Sequence, residues 1–199
     1  RIIFLTDEIN VHLPESVRVI RVSKEVMELI SPMETPQGAV FLCRLSPKRP
    51  FVPQRGMLLL DGIQDPGNVG TILRTADAWN VPVALLEGCA DPFSHKVVRA
   101  SMGAVFRTPV TVTTWEEAQY ACREAGIPIA VTALRSTARD IREAEVGAMA
   151  VVIGSEGQGV RQAVLDGADH CLIIPMNPHC ESLNAAVAAA AVMWQMGKM

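Results

Sequence analysis

One stretch of the chain joins a continuous apolar run to a glycine-rich turn: Val151-Val152-Ile153-Gly154-Ser155-Glu156-Gly157-Gln158-Gly159-Val160. A short apolar run that ends at a turn is typical of a strand buried on both faces of a parallel sheet. The three glycines leave room for a flat ligand against the backbone. Glu156 is open to two interpretations, a carboxylate of a site or a residue that favours the start of the next helix through the helix dipole. The stretch therefore predicts an α/β fold whose chemistry lies in the loops after the strands.

The same alternation of strand-like and helix-like runs extends from residue 57 to residue 196. Strands are predicted at 57–60, 82–86, 109–112, 127–132, 150–153 and 171–174. Helices are predicted at 69–79, 95–101, 115–125, 158–165 and 183–196. Apolar strands separated by helices indicate a largely parallel sheet with helices on its faces.

Three prolines between residues 47 and 53 separate this region from the start of the chain. Proline fixes φ and prevents a helix from continuing, so residues 47–55 are predicted to be a linker. Residues 1–46 contain strand-like runs at 2–5, 18–22 and 39–45 and a helical run at 24–30, which indicates part of a small α/β module. The main domain is then residues 56–199. Because the chain begins at Arg1, directly on a strand-like run, we expect the natural amino terminus to lie further upstream.

Composition limits the class of protein. The chain has 199 residues, 49% of them hydrophobic, and five cysteines without C-x-x-C spacing, which favours reduced thiols in a cytoplasmic protein. The longest apolar stretch, residues 185–194, is too short to cross a bilayer. His95 and His179 have no second ligand at metal spacing, so no metal is expected. The net charge is -3, but residues 44–107 carry 8 basic and 5 acidic side chains, which fits either a phosphate-binding surface or chance clustering.

Three common nucleotide and hydrolase motifs are absent from the chain. It lacks the dinucleotide fingerprint G-x-G-x-x-G and the phosphate loop G-x-x-x-x-G-K-S/T. Ser155 lies in Gly154-Ser155-Glu156-Gly157, which does not have the spacing of the G-x-S-x-G nucleophile elbow. Common dehydrogenases, kinases and α/β-hydrolases are therefore disfavoured.

Two further loops carry polar residues that could form a site with the glycine-rich turn. The first is Asp61-Gly62-Ile63-Gln64-Asp65-Pro66-Gly67-Asn68-Val69-Gly70-Thr71-Ile72-Leu73-Arg74. Its two glycines near Asn68 allow close backbone approach and Asn68 can cap the helix, so a capped helix with a surface arginine is the alternative to a site. The second is Ile173-Ile174-Pro175-Met176-Asn177-Pro178-His179-Cys180-Glu181-Ser182-Leu183-Asn184. Ser182 and Asn184 are equally suited to helix capping.

Three motifs follow one another along the chain: N-x-G-x-x-x-R, then G-S-E-G-x-G, then I-P-M followed by S-L-N. Together they resemble the three motifs of the SpoU family of SPOUT methyltransferases, over about residues 56–196. The resemblance implies methylation of a ribose 2′-hydroxyl in structured RNA with S-adenosylmethionine as cofactor. It also implies a parallel sheet whose C-terminal segment forms a deep trefoil knot, and a homodimer. Glu34-Thr35-Pro36-Gln37-Gly38 is similar to part of the substrate-binding module that often precedes this domain. Residues 1–46 are accordingly expected to be a partial RNA-binding module.

The resemblance also assigns roles to individual residues. The catalytic set is Arg74, Asn68, Glu156, Ser182 and Asn184. Arg74 would act as a cation that binds phosphate or stabilises the forming alkoxide, because a guanidinium rarely loses its proton, and the general base is left open. Asn68 and Glu156 would orient Arg74 or the ribose, and the other two would hold loop geometry and substrate. The cofactor-binding set is Thr132, Ala133, Leu134, Gly154, Ile174, Met176 and Leu183.

Basic residues around the linker and in the following domain are candidate contacts to RNA phosphates, although each could equally be an ordinary exposed charge. They are Arg44, Lys48, Arg49, Arg55, Lys96 and Arg99. Ribosomal RNA is favoured over transfer RNA, because the preceding module resembles those of enzymes that act on large structured RNA. Two other functions stay open, a non-catalytic RNA-binding relative and a methyltransferase for a base nitrogen. Pro178 departs from the family, which often has glycine there, and leaves the path of that loop open.

Overall fold

The computed structural model describes residues 1–45, 50–177 and 179–197. The chain divides into two compact units, Arg1–Pro47 and Lys48–Met199. None of the helices in these described ranges is long and apolar enough to span a bilayer.

The first unit is a small three-stranded sheet with one helix. Its elements are β1 (Ile2–Leu5), β2 (Arg18–Arg21), α1 (Lys24–Ile30) and β3 (Ala39–Leu42). The central strand β1 pairs in parallel with β2 and antiparallel with β3. Ser23 caps α1 by accepting a hydrogen bond from the Val26 amide. Leu5 and Met27 are the fully buried large side chains of this unit. These four elements make residues 1–45 a small α/β unit.

The second unit alternates strands and helices along its whole length. Its elements are β4 (Met57–Asp61), α2 (Pro66–Trp79), β5 (Val83–Leu85), α3 (His95–Ala100), β6 (Val110–Val112), α4 (Trp115–Glu124), β7 (Ile129–Thr132), β8 (Arg139–Asp140), β9 (Ala150–Gly154), α5 (Gln162–Gly167), β10 (His170–Ile173) and α6 (Ala185–Met196). Short 3-10 helices lie at Ala104–Phe106, Ile141–Glu143 and Val146–Ala148. The seven strands run in the order β6-β5-β4-β9-β7-β10-β8, and every pairing is parallel. The prediction of a parallel α/β sheet is confirmed.

The sheet is buried on both faces because helices cover each side. Along β4, Leu58 and Leu60 pack on one face with residues of α2 and α6. Leu59 points to the opposite face, where it packs with residues of α4 and α5. Alternate side chains of a strand point to opposite faces, so an uninterrupted apolar strand needs cover on both. This packing explains why the strands read as continuous apolar runs.

The strand β9 occupies the centre of the sheet, between β4 and β7. In its pairing with β4, Gly154 lies opposite Asp61. Both residues are the last of their strands. The loop after β4 and the loop after β9 therefore leave the same edge of the sheet side by side.

The structure differs from the prediction at two elements. The helix expected at 158–165 begins only at Gln162, because residues 155–159 turn back on themselves: the Ser155 and Gly159 amides each donate to the other's carbonyl oxygen, at 3.1 and 2.9 Å. The two-residue strand β8 was not predicted, since two residues are too few to show a pattern. Three alanines of α6, Ala185, Ala186 and Ala189, are buried and pack within the unit.

Replacement of Gly70 by alanine tests how closely α2 approaches the end of α3. A Cβ added to Gly70 would overlap the Cβ of Ala100 and lie 2.8 Å from the Ser101 nitrogen. We expect Gly70→Ala to lower the free energy of unfolding by about 1–3 kcal/mol through overpacking. Urea denaturation measures the change. Gly197→Ala is the control, since its Cβ would have no neighbour closer than 3.8 Å; equal stability of the two variants would contradict the tight α2–α3 contact.

Candidate active site

The start of α2 is fixed by Asp65, which leaves the Asn68 side chain available for contacts with other loops. Asp65 is the N-cap, and its Oδ1 accepts a hydrogen bond from the Asn68 backbone amide at 2.8 Å. Pro66 occupies the first helical position, where a missing amide hydrogen costs nothing. The expectation that Asn68 caps this helix is therefore wrong. Asn68 is the third residue of α2, and its carboxamide binds Glu156 of the loop after β9 instead.

Three side chains from three loops meet at the carboxyl edge of the sheet. Asn68 Nδ2 donates to Glu156 Oε1, and Asn184 Nδ2 donates to Asn68 Oδ1 at 3.0 Å. Glu156 Oε1 also accepts from the backbone amide of Ala185, the first residue of α6, at 3.2 Å. These contacts join residues 88 and 116 positions apart in the chain. Glu156 thus supports the start of α6, and not of the helix that follows it in sequence.

Asn184 has two roles in this cluster, because its amide group both accepts and donates. Its Oδ1 accepts from the backbone amides of Ala186 and Val187, at 2.9 and 3.3 Å, which makes it the N-cap of α6. Its Nδ2 binds Asn68. The capping role expected for Asn184 is confirmed, and the contact to Asn68 adds to it. Ser182, the other capping candidate, is exposed and does not cap α6.

A cavity of about 410 Å³ lies beside this cluster. All seven residues of the predicted cofactor-binding set line it, and so do Glu156 and Ser182 of the predicted catalytic set. The walls come from the residues after β7, β9 and β10, that is, from the carboxyl ends of three neighbouring strands. The volume falls within the range of small-molecule sites, and the position agrees with the place where ligands bind open α/β sheets.

The three glycines of the glycine-rich turn after β9 are needed for different structural reasons. A Cβ on Gly154 would overlap the Gly159 carbonyl carbon and the Val160 nitrogen, so the returning arm of the loop fills the space beside it. A Cβ added to Gly157 or Gly159 would meet no atom within 4 Å, and Gly159 has a φ of +69°. The open backbone that a flat ligand needs is therefore found at Gly157 and Gly159, whereas Gly154 is required for closure of the loop.

Comparison with known proteins decides the family. Residues 56–194 match the family described as SpoU rRNA Methylase. The chain belongs to this family. The 23S rRNA (guanosine(2553)-2'-O)-methyltransferase RlmP of Bacillus subtilis (strain 168) is 33% identical over 199 residues, which cover 98% of this chain and 79% of that protein. The family inferred from the three motifs is confirmed.

Solved structures agree with this SpoU assignment. A protein of the TrmH family from Porphyromonas gingivalis superposes with a TM-score of 0.86 at 35% identity, over 98% of this chain and 81% of that one. An AdoMet-bound rRNA methyltransferase from Sinorhizobium meliloti gives a TM-score of 0.82 at 30% identity, over 98% and 78%. Both neighbours therefore share the fold over nearly the whole of the present chain.

Arg74 stands apart from the cluster of Asn68, Glu156 and Asn184. It lies on α2, six residues after Asn68, and it is exposed. It does not line the cavity, and its side chain has no hydrogen bond or ion pair with any residue in the described part of the chain. The expected contact through which Asn68 and Glu156 would orient Arg74 is thus not made in this SpoU domain, where the two side chains bind each other and α6.

An ion-pair group that the sequence did not reveal lies at the end of the glycine-rich turn after β9. Arg161 Nε is 2.6 Å from Asp61 Oδ1 and its Nη2 is 2.9 Å from Glu87 Oε2. Partial burial works against the charge of Arg161, but hydrogen bonds to Glu87 and Asp61 outweigh it and raise the pKa of Arg161. Burial likewise opposes ionisation of Glu87, but hydrogen bonds from its own backbone amide and from Arg161 lower the pKa of Glu87. The one sequence feature that could have indicated this group is Asp61, a carboxylate at the end of an apolar strand.

The predicted RNA contacts have varied surroundings. Arg44 is exposed in the first unit, and Lys96 and Arg99 are exposed on α3. Arg55 donates to the carbonyl oxygens of Ala148 and Gly126, at 3.0 Å each, which gives it a structural role that the sequence did not indicate. Lys48 and Arg49 lie outside the described residues, as does Pro178.

Other reactive groups add little to the site. Burial raises the pKa of Cys89 to about 11, so its thiol is protonated at neutral pH and a poor nucleophile. It donates to the Leu60 carbonyl oxygen instead. Among the residues that the structure describes, no three His, Cys, Asp or Glu side chains are grouped as metal ligands.

Asn184 variants separate its capping role from its contact with Asn68. Asn184→Ala removes the cap of α6 and should lower the free energy of unfolding by about 1 kcal/mol. Asn184→Ser keeps a capping oxygen and loses the donor to Asn68, so we expect stability within a few tenths of a kcal/mol of the wild type, because serine is a comparable cap. Chemical denaturation followed by circular dichroism measures both. Equal destabilisation by serine and alanine would show that the cap is not what Asn184 contributes.

Proposed function

We propose that the protein transfers a methyl group from S-adenosylmethionine to a ribose 2′-hydroxyl of structured RNA, with ribosomal RNA favoured over transfer RNA. The observation that carries the proposal is the cavity at the carboxyl edge of the sheet, lined by all seven predicted cofactor residues and adjoined by the Asn68–Glu156–Asn184 cluster. The name of the RlmP relative, a 23S rRNA 2'-O-methyltransferase, supports both the substrate and the reaction. The AdoMet-bound structure from Sinorhizobium meliloti supports the cofactor.

The residues of the cavity fit S-adenosylmethionine. Apolar walls from Leu134, Ile174 and Leu183 suit its flat adenine ring, and the open backbone at Gly157 can supply hydrogen bonds to polar edges. The cofactor supplies a methyl group that is already activated on a sulfonium. The protein's own task is therefore to present a weakly acidic hydroxyl in the correct orientation and to stabilise the negative charge that develops on it.

Arg74 is assigned the role of the cation in this reaction. A guanidinium is a very weak acid and stays protonated, so it is poorly suited to act as the base. Because no carboxylate of the described chain neutralises Arg74, its charge is available to an RNA phosphate or to the forming alkoxide. The base that accepts the hydroxyl proton is left open.

Asn68, Glu156, Ser182 and Asn184 are assigned to orientation of the ribose and of the loops. The Asn68 carboxamide is fixed at both ends, since it donates to Glu156 and accepts from Asn184. Such a double anchor removes rotamer freedom before the substrate arrives, which lowers the entropic cost of binding. Ser182 is exposed at the cavity and can contact a substrate hydroxyl.

RNA binding is assigned to the exposed basic surface of α3 and to the first unit. Residues 92–107 contain no acidic side chain and include Lys96, Arg99 and the half-exposed aromatic ring of Phe106. Cations bind phosphates and aromatic rings stack on unpaired bases, which is the combination that single-stranded RNA requires. Residues 1–46, with Arg44, are proposed as part of an RNA-binding module, and residues 47–55 as its linker to the methyltransferase domain at 56–199.

Two features of the family complete the proposal, a deep trefoil knot and a homodimer. The return of the chain from β10 to α6, which packs with α2 and β9, supports a knotted C-terminal segment. The outer face of α6 exposes Val187 and Trp194, and the Trp194 ring lies 5.8 Å from that of Trp79. An exposed apolar cluster of this kind supports a subunit interface.

All five cysteines are free, which supports a reducing, cytoplasmic location.

Substitution of Arg74 tests the proposed reaction. We expect Arg74→Ala to reduce methyl transfer to ribosomal RNA by about 100-fold or more, because one electrostatic contact to a developing oxyanion is worth about that factor. Arg74→Lys keeps the charge but not the planar fork and should retain more activity. The assay transfers radiolabelled methyl from S-adenosylmethionine to total RNA that lacks the modification, followed by nucleoside analysis.

The products of that assay separate the alternatives. A 2′-O-methylated nucleoside that disappears with Arg74→Ala agrees with the proposal. A nucleoside methylated on a base nitrogen would replace it with the second function, and cofactor binding without any transfer would identify a non-catalytic RNA-binding relative. Wild-type activity in Arg74→Ala would remove Arg74 from the catalytic set.

A single substitution on α6 tests the homodimer. Trp194→Glu places a charge on the exposed apolar face, and we expect it to convert a dimer of twice the chain mass into monomers, because an unpaired charge buried in an interface is costly. Light scattering after size exclusion measures the mass. Tyr120→Glu, at a similarly exposed aromatic residue on α4, is the matched control. A wild-type protein of single-chain mass would contradict the dimer.

A further inference from the structure

We infer that Asp61 and Arg161 are positioning residues that hold the loop of residues 155–160 in the form that binds the cofactor. The buried carboxylate of Asp61 and the partly exposed side chain of Arg161 form a clamp, here called the loop clamp, with Glu87 as an outer partner of Arg161. The inference rests on the proposed function, because S-adenosylmethionine is the ligand that this loop would contact. Neither residue lines the cavity, so both act through the loop.

Asp61 is a fully buried carboxylate whose two oxygens are both used by one residue. Its side chain is 0% exposed. Oδ2 accepts from the Arg161 backbone amide at 2.8 Å, and Oδ1 accepts from Arg161 Nε at 2.6 Å. A buried charge costs several kcal/mol unless it is paired and hydrogen-bonded, and removal of one partner leaves the other uncompensated. The geometry of Asp61 therefore determines where Arg161, and the backbone that carries it, can lie.

The loop clamp fixes both ends of the loop against the same residue. Gly154, from which the loop starts, is the partner of Asp61 in the pairing of β9 with β4. Arg161, at which the loop ends, is bound to the Asp61 carboxylate through its backbone and its side chain. The returning arm passes so close to Gly154 that a Cβ there would overlap Gly159. A displacement of Arg161 must therefore shift the returning arm relative to the strand.

The loop has few other attachments of its own. Residues 156–159 are exposed, and the two hydrogen bonds between Ser155 and Gly159 lie within the loop. Val160 is buried, and Glu156 is bound to Asn68 and Ala185. All six residues of the loop line the cavity. The loop clamp thus supplies an anchor to the sheet for a segment that otherwise depends on one apolar contact and one exposed carboxylate.

Glu87 contributes less than Asp61 to this arrangement. Its contact with Arg161 Nη2 at 2.9 Å joins two side chains that are each more than 40% exposed. Exposed ion pairs are screened by solvent and stabilise little. We therefore expect a graded response, in which changes at Asp61 and Arg161 weaken cofactor binding and a change at Glu87 has a small effect.

The test measures binding of S-adenosylhomocysteine to the complete chain by isothermal titration calorimetry. Arg161→Lys keeps the cation and the backbone hydrogen bond but removes the fixed Nε donor, and Asp61→Asn keeps the shape of the side chain without its charge. We expect each to raise the Kd by about tenfold or more, equal to about 1.4 kcal/mol, with an unchanged number of sites per folded chain. The Kd of the double variant should exceed that of the weaker-binding single variant by no more than about threefold, because both substitutions disrupt the same contact.

Matched controls separate positioning from general stability. Arg107→Lys alters another arginine–aspartate pair, away from the loop, in which Nε and Nη2 both bind Asp77 Oδ2 at 3.0 and 2.6 Å. It should leave the Kd unchanged, and Glu87→Gln should change it by less than about threefold. A purely structural role for the loop clamp would lower the melting temperature but leave the Kd of the folded fraction at the wild-type value. That result in Arg161→Lys overturns the inference, and this conservative variant carries the test if Asp61→Asn does not fold. Wild-type protein that does not bind S-adenosylhomocysteine would instead reject the proposed function.

Discussion

The parallel pairing of β4 with β9 is the constraint on which the rest of the structure depends. Every residue of β4 is buried, and the register places Asp61 opposite Gly154 at the carboxyl edge. Because parallel strands end at the same edge of a sheet, the loops that follow β4 and β9 begin as neighbours although about 90 residues separate them. The contact between Asn68 and Glu156 is a direct consequence of this register.

The site combines a rigid polar cluster with an open cavity. Asn68 is held by Glu156 on one side and Asn184 on the other, and Glu156 also binds the first amide of α6. The polar groups of this cluster are thus used to set the relative positions of three loops. The cavity beside it is lined mainly by backbone and apolar side chains. This division fits a reaction in which orientation of the substrate, and not activation of the cofactor, is the task of the protein.

Two exposed arginines show how a carboxylate partner separates a structural role from a chemical one. Arg161 is bound to the buried carboxylate of Asp61 and to Glu87, so its charge is neutralised where it stands. Arg74 is exposed and has no carboxylate partner among the described residues, so its charge is available to an anionic ligand. Arg74 closes the first motif, and Arg161 follows the glycine-rich turn directly. Only their surroundings in the folded domain distinguish them.

The sequence by itself determined the class of sheet, the three loops that form the site and the family, because burial on both faces and glycine-rich turns leave short, local patterns. It could not assign the cap of α2 to Asp65 in place of Asn68, or the start of α5 to Gln162, since each depends on which of several suitable groups finds a partner elsewhere. The contact between Asp61 and Arg161, 100 residues apart, was likewise beyond a local pattern. Tertiary structure decided these points, because strand order and register bring distant residues together and burial then makes their pairing obligatory.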